Sequence, residues 1–373
     1  MPPPFQLQEH CYLYRYFASK VLPRMNYMLQ LALEFYPLMG ALVSVAGMEL
    51  ASPSGWPVHR AIESYIQTIQ GLQEVLSRKE LIIEDALLAT VVTLSVFENS
   101  RKDVPPNVRP HVMASSAILT NRRPRWPRCP QAPAVFDRIC VESFVYHASL
   151  MMIFEPSLDV LSDSHEASKL HLYFSDPTHG SLAETQSAVA TQPILHVPYK
   201  FFILIADITK LARISYALND SEIFKWNQLN HQFRYWADCM RASEEVVETL
   251  FVLAMEILLS KMNPFLFPEE IERVIEACFE QASQLIPLLD TSSHFTSFLL
   301  WPLTILGAVA YRPCEKDLMQ KSISHLTTAQ SGGQAVWVLR RLQNIWPCER
   351  DSETGDCRRY RTMGLQALLN GTT

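Results

Sequence analysis

The chain has 373 residues, 48% of them hydrophobic, which is enough to bury one large core or two fused ones. Charged residues make up 19% and the formal net charge is −6, which excludes a strongly basic nucleic-acid binder as a description of the whole chain. Glycine is scarce, at 11 residues, and apolar stretches rarely alternate with polar ones, so a β-sandwich or a nucleotide-binding α/β fold is disfavoured. The reading is all-α: one large helical domain with its helices packed as an irregular bundle.

The opening residues, Met1-Pro2-Pro3-Pro4-Phe5-Gln6, lack a basic stretch leading into an apolar run, so no secretory signal is expected. Helix-length apolar text follows at 8–22 and 38–50. The clearest periodicity begins after Pro57, where Val58, Ala61, Ile62, Tyr65, Ile66, Ile69, Leu72 and Leu76 line one face of a helix. Glu84-Asp85 opens an apolar segment to 97, acids placed where a helix N-terminus favours them. Further helices are expected over 108–121 and 135–154.

Between those two lies the basic run Arg122-Arg123-Pro124-Arg125-Trp126-Pro127-Arg128. Arg122, Arg123, Arg125 and Arg128 form a candidate nuclear-import or phosphate-contacting patch, with Trp126 as a stacking partner. The bland alternative is a solvated, proline-stiffened loop between helices. From 155 to 193 the text turns to Ser, Asp, His, Thr and Gln, which predicts a polar surface insertion. His165, His171 and His179 crowd it, and a solvated loop is the simpler reading than a metal site there. Helices resume over 199–218, 222–240 and 246–259. The next opens at Pro268-Glu269-Glu270 and carries Ile271, Val274, Ile275, Cys278, Ala282, Leu285 and Ile286 on one face. An apolar run at 298–311, interrupted by Pro302, suits a core helix and is too short to span a bilayer. A last helix is expected over 334–346. The domain so read covers 8–350 with its insertion at about 155–193, and 351–373 is a C-terminal tail.

The eight cysteines, Cys11, Cys129, Cys140, Cys239, Cys278, Cys314, Cys348 and Cys357, lie far apart and mostly within helical text. Without an export signal they read as reduced thiols, and no pair has zinc-ligand spacing. The Asn-x-Ser/Thr sequences at Asn219 and Asn370 are then chance occurrences. No phosphate-cradling glycine loop, nucleophile elbow or paired-histidine zinc helix occurs, so no catalytic, cofactor-binding or metal residue is assigned and no cofactor is expected. His147, inside the apolar run 144–154, reads as a hydrogen-bonded core histidine.

Several segments, taken in order, resemble the fungal-specific transcription factor domain found downstream of fungal zinc clusters. Tyr14-Arg15-Tyr16-Phe17 with Val21-Leu22-Pro23 is similar to its opening helix, and Tyr36-Pro37-Leu38-Met39-Gly40-Ala41-Leu42 through Ala46-Gly47-Met48-Glu49-Leu50 to the next. Ala61-Ile62-Glu63-Ser64-Tyr65 and Asp85-Ala86-Leu87-Leu88-Ala89 follow. His111, then Ala114-Ser115, Ile118-Leu119 and Arg122-Arg123-Pro124, stands where the family shows a histidine, a small pair and two apolar residues. The tryptophan before that histidine and the glycine after it are missing. Leu299-Leu300-Trp301-Pro302-Leu303, ending in Gly307, is close to the family's late Trp-Pro-apolar segment, and Ile345-Trp346 closes the match.

The resemblance implies a transcriptional regulator acting in the nucleus, or shared between nucleus and cytoplasm, and controlling a metabolic or secondary-metabolite gene cluster. It implies protein partners, either a DNA-binding transcription factor or the transcription machinery, and leaves room for a small-molecule effector. No zinc-cluster spacing precedes Cys11 or follows it, so direct sequence-specific DNA binding is not expected of this chain, and neither is a membrane or an enzymatic activity. The alternative is a cytosolic metabolite-binding protein or enzyme on the same helical scaffold.

Overall fold

A computed structural model describes residues 26–54, 57–78, 84–122, 131–155, 158, 160–161, 170, 199–214, 217–241, 245–289, 299–328, 333–346 and 360–371. Every regular element among them is helical and no strand occurs, so the fold is all-α. The helices are α1 (Asn26–Glu34), α2 (Tyr36–Ser54), α3 (Val58–Ser77), α4 (Glu84–Ser100), α5 (Arg109–Asn121), α6 (Gln131–Phe154), α7 (Tyr199–Ala212), α8 (Asp220–Arg241) and α9 (Val246–Lys261). There follow α10 (Pro268–Leu285), the 3₁₀ turn Ile286–Leu288, α11 (Leu300–Val309), α12 (Pro313–Thr328), α13 (Gly333–Ile345) and α14 (Tyr360–Asn370).

The chain separates into two compact units: residues 1–147 with 165–192, and residues 148–164 with 193–373. The first holds α1 to α5 and the N-terminal part of α6; the second holds the end of α6 and α7 to α14. The helix expected at 8–22 lies outside the described residues, as does nearly all of the polar insertion. Its few described apolar residues, Leu158, Val160, Leu161 and Leu170, are buried. The segment read as a C-terminal tail contains α14.

In the first unit α2 packs against α1, α3 and α4, and α4 against α5. Pro37 occupies the first turn of α2, where its missing N–H costs nothing, and the chain bends by 119° between α1 and α2. The α2–α3 contact is made by small residues. Ser64 Oγ and Ser44 Oγ both donate to Gly40 O, at 3.3 and 2.7 Å, and any Cβ at Gly40 would run into Thr68 Oγ1. Helix α4 is buried on nearly all sides, with only Glu84 exposed, so a helix without a polar face is a central one. No single helix among the described residues is long and apolar enough to cross a membrane. The bent α1–α2 pair matches by composition only, and its Leu38, Ala41, Leu42 and Ala46 are core residues.

The second unit is organised on α9 and α11. All ten residues of α11 are buried, including Pro302, which sits in its first turn. Trp301 stacks parallel on Phe251 of α9, with ring centroids 5.7 Å apart. Around this pair α11 meets α12, α13 and α14, while α9 meets α7, α8 and α10. The C-terminal end of α9 is tied by buried polar contacts: Trp226 Nε1 donates to Leu259 O at 3.0 Å, and Lys261 Nζ donates to Ala212 O at 2.6 Å. Burial pushes the Lys261 ammonium down to about 8, and the carbonyl end of α7 is its counterpart. Gly364 lets α14 lie against the backbone of α11, because a Cβ there would collide with Ala308 O. The Asn219 side chain is committed to a reciprocal cap of α8: its Oδ1 accepts from Glu222 N at 3.0 Å, and Glu222 Oε2 accepts from Asn219 N at 2.8 Å.

Candidate functional site

Polar side chains that the sequence scatters over five helices converge inside the first unit. Arg122 caps the C-terminus of α5, its own N–H bonding Ile118 O, and its side chain turns inward. The guanidinium Nη2 donates to Asp85 Oδ1 and to Asp137 Oδ1, each at 2.6 Å, and the Tyr27 hydroxyl donates to Asp85 Oδ2 at 2.6 Å. Tyr27 also meets Phe136 edge-to-face at 5.4 Å. One arginine therefore fastens α1, α4, α5 and α6 together, with 4% of its surface exposed. Charges this deeply buried persist only when paired and hydrogen-bonded. Next to them the Cys140 thiol is pushed well up, by burial first and by the two aspartates second, so it is an inert core thiol.

A second cluster lies where α3, α4 and α5 meet. Tyr65 stacks on Phe97 at 4.5 Å, and its hydroxyl is 3.2 Å from His111 Nε2. Burial raises the phenol, and the neighbouring Glu98 carboxylate, which accepts its hydrogen bond, raises it further. Glu98 is itself buried, accepts from Asn107 N at 2.9 Å and stands 3.8 Å from Arg101. Burial lowers His111, against the pull of Glu98. With the phenol donating to Glu98, the imidazole supplies Nε2–H to the phenol oxygen. This Glu98–Tyr65–His111 relay is closed on itself and holds no nucleophile beside a base.

The third contact pairs Asn99 Nδ2 with His147 Nδ1 at 2.8 Å. His147 is the hydrogen-bonded core histidine that its apolar setting predicts, and burial pushes its imidazole down to about 4. A group whose folded value is depressed stabilises the fold above its unfolded value near 6.5, and that contribution is lost as pH falls toward 4. Glu49 acts in the opposite sense. Burial alone raises it to about 7, so its cost is relieved as pH drops from 7 to 4.5. Comparison of His147→Gln with the parent isolates the histidine. Between pH 6.5 and 4.5 the parent should lose on the order of 2–3 kcal/mol more of its urea-unfolding free energy than the variant. Equal slopes would remove His147 from the acid transition.

The basic run is thereby corrected at its first residue. Arg122 is no part of an exposed patch, because two aspartates draw it into the core. Arg123, Arg125 and Arg128 lie outside the described residues, as do His165, His171 and His179. Among the described residues no group of three His, Cys, Asp or Glu side chains could hold a metal ion. Asp137, Glu98 and Asn99 escaped the sequence reading, although each is a charged or amide residue inside apolar helical text, and that mismatch is the signal that could have found them. Asp85 reads in the sequence only as a helix-opening acid, not as the buried partner of Arg122.

Comparison with known families settles the class. The description "Fungal specific transcription factor domain" matches residues 12–366, nearly the whole chain, and the chain belongs to that family. Its role is accordingly in transcriptional regulation, and the family is one of generally non-enzymatic regulatory domains. No curated protein and no solved structure matches the chain.

Proposed function

We propose that the chain is the regulatory module of a nuclear transcriptional regulator that controls a metabolic gene set, such as a secondary-metabolite cluster, through protein partners. The observation that carries this reading is the family match over residues 12–366. The buried polar clusters agree with it, since their hydrogen bonds are spent between helices and fix a scaffold instead of facing a substrate. The module acts through protein partners, a DNA-binding transcription factor or the transcription machinery. Arg123, Arg125 and Arg128 serve nuclear import, and Arg122 serves the fold.

Two measurements test the proposal. Transcript profiles of a deletion strain and its parent should differ in a coherent set of genes, neighbours of the locus above all. Unchanged transcripts together with an accumulating metabolite would instead make the chain an enzyme or a metabolite-binding protein. A fluorescent fusion carrying Arg123→Ala, Arg125→Ala and Arg128→Ala should shift from nucleus to cytoplasm, with Arg122 left intact so that folding is not disturbed.

A further inference from the structure

We propose that Thr362 is a phosphorylation site and that its modification releases helix α14 from the second unit. With 11 residues α14 is too short to hold its helix unaided, so docking keeps it formed. Part of the docking is apolar, through the buried Leu365, Leu368 and Leu369. The rest is a charged latch at the first turn. Arg361 donates from Nη2 to Glu315 Oε1 at 2.8 Å, and from Nη1 to Glu315 Oε2 at 3.0 Å and to Val309 O at 2.8 Å. Its guanidinium lies 3.8 Å from Glu276 and covers the Phe279 ring. Arg312 pairs with Glu276, and Thr362 donates to Glu272 Oε1 from both its N–H, at 3.1 Å, and its Oγ1, at 2.6 Å.

The latch sets three carboxylates, Glu272, Glu276 and Glu315, against two guanidinium groups, Arg312 and Arg361, so it is already short of positive charge. Burial raises the Glu272 carboxyl above the usual range in spite of both Thr362 hydrogen bonds. Phosphorylation removes the Oγ1–H donor and puts about two negative charges where it stood, against Glu272. Arg361 is held by Glu315 and Val309 O and cannot turn to the phosphate without giving up its own docking contacts. The helix dipole welcomes an anion in a first turn, but it does so whether α14 is docked or free, and so it does not resist release.

The sequence fits a kinase of definite type. Arg358-Arg359-Tyr360-Arg361-Thr362 puts arginines three and four positions ahead of the hydroxyl, and guanidinium groups pair with the carboxylate-lined clefts of basophilic kinases. Thr362 is half-buried and its neighbour Met363 is exposed, so opening the first turn of α14 presents the hydroxyl. In the transfer Thr362 Oγ1 attacks the γ-phosphorus of ATP, the bond to the ADP oxygen breaks, and the hydroxyl proton passes to the kinase's catalytic carboxylate.

The test is independent of the regulatory role proposed above. The full chain is incubated with ATP and the catalytic subunit of the cyclic-AMP-dependent kinase, phosphate is located by peptide mass spectrometry, and amide exchange is followed along the chain. Phosphate on Thr362, with exchange in α14 faster by on the order of tenfold or more and α9 unchanged, is the expected result. Phosphate only elsewhere, or on Thr362 with α14 still protected, overturns the proposal. Thr362→Glu and Thr362→Val test the charge without the kinase. The glutamate should speed α14 exchange well beyond the valine, which loses only a hydrogen bond, and equal exchange in the two overturns the latch.

Discussion

Replacing Arg122 with methionine is expected to destabilise the first unit by about 3–5 kcal/mol, the cost of leaving buried charge without its partner. Asp85 and Asp137 both accept from the same Nη2, each at 2.6 Å, and Asp85 has no exposed surface. Methionine has room for its chain along the arginine's path but offers no donor, so two carboxylates would face each other in the core. The cost should therefore be shared with Asp137. Adding Asp137→Asn to Arg122→Met removes one of the stranded charges, and at least about 1 kcal/mol should return as a positive coupling in the double-mutant cycle. Urea unfolding followed by amide exchange in α4 and α5 measures both effects. A loss below about 1 kcal/mol for Arg122→Met would mean that water reaches the aspartates and that the bridge is a surface ion pair.

The same arginine shows how far the sequence could be read. Helices with strong periodicity or an apolar circumference were legible, as at 58–76, 84–97 and 268–286, because helical spacing of apolar residues is a local property. The inward turn of Arg122 was not local. It depends on Asp85 lying 37 positions earlier and Asp137 lying 15 later, and only the packing of α4, α5 and α6 brings them together. A cluster of arginines with prolines reads as one patch in the sequence, yet its first member is the C-cap of α5 and its side chain turns into the core. Helices α12 and α14 were missed for another reason. Pro313 opens α12 among polar residues, and Gly364 breaks the helical propensity of α14, so both rely on tertiary burial of a narrow face. The Arg361–Glu315 latch, 46 positions apart, was equally invisible.

The second large effect falls on Trp301. Its side chain is fully buried and packs flat on Phe251 with only 4° between the rings. Trp301→Ala removes most of that volume from the centre of α9 and α11, and core truncations of this size cost about 3–5 kcal/mol. The surroundings cannot close over the gap. Every residue of α11 is already buried, Gly307 leaves no slack against the Leu342 side chain, and Trp346 Nε1 is anchored on Gly307 O at 2.9 Å. Trp301→Phe should behave differently. The indole N–H has no acceptor among the described residues, so a phenyl ring forfeits area but no hydrogen bond, and the loss should stay near 1–2 kcal/mol. The two variants thus separate packing from polarity, read from the exchange of α9 and α11 amides. A phenylalanine variant as unstable as the alanine one would place a hydrogen-bond acceptor at Trp301 Nε1 and make the indole nitrogen, not the stacked ring, the group that holds this core together.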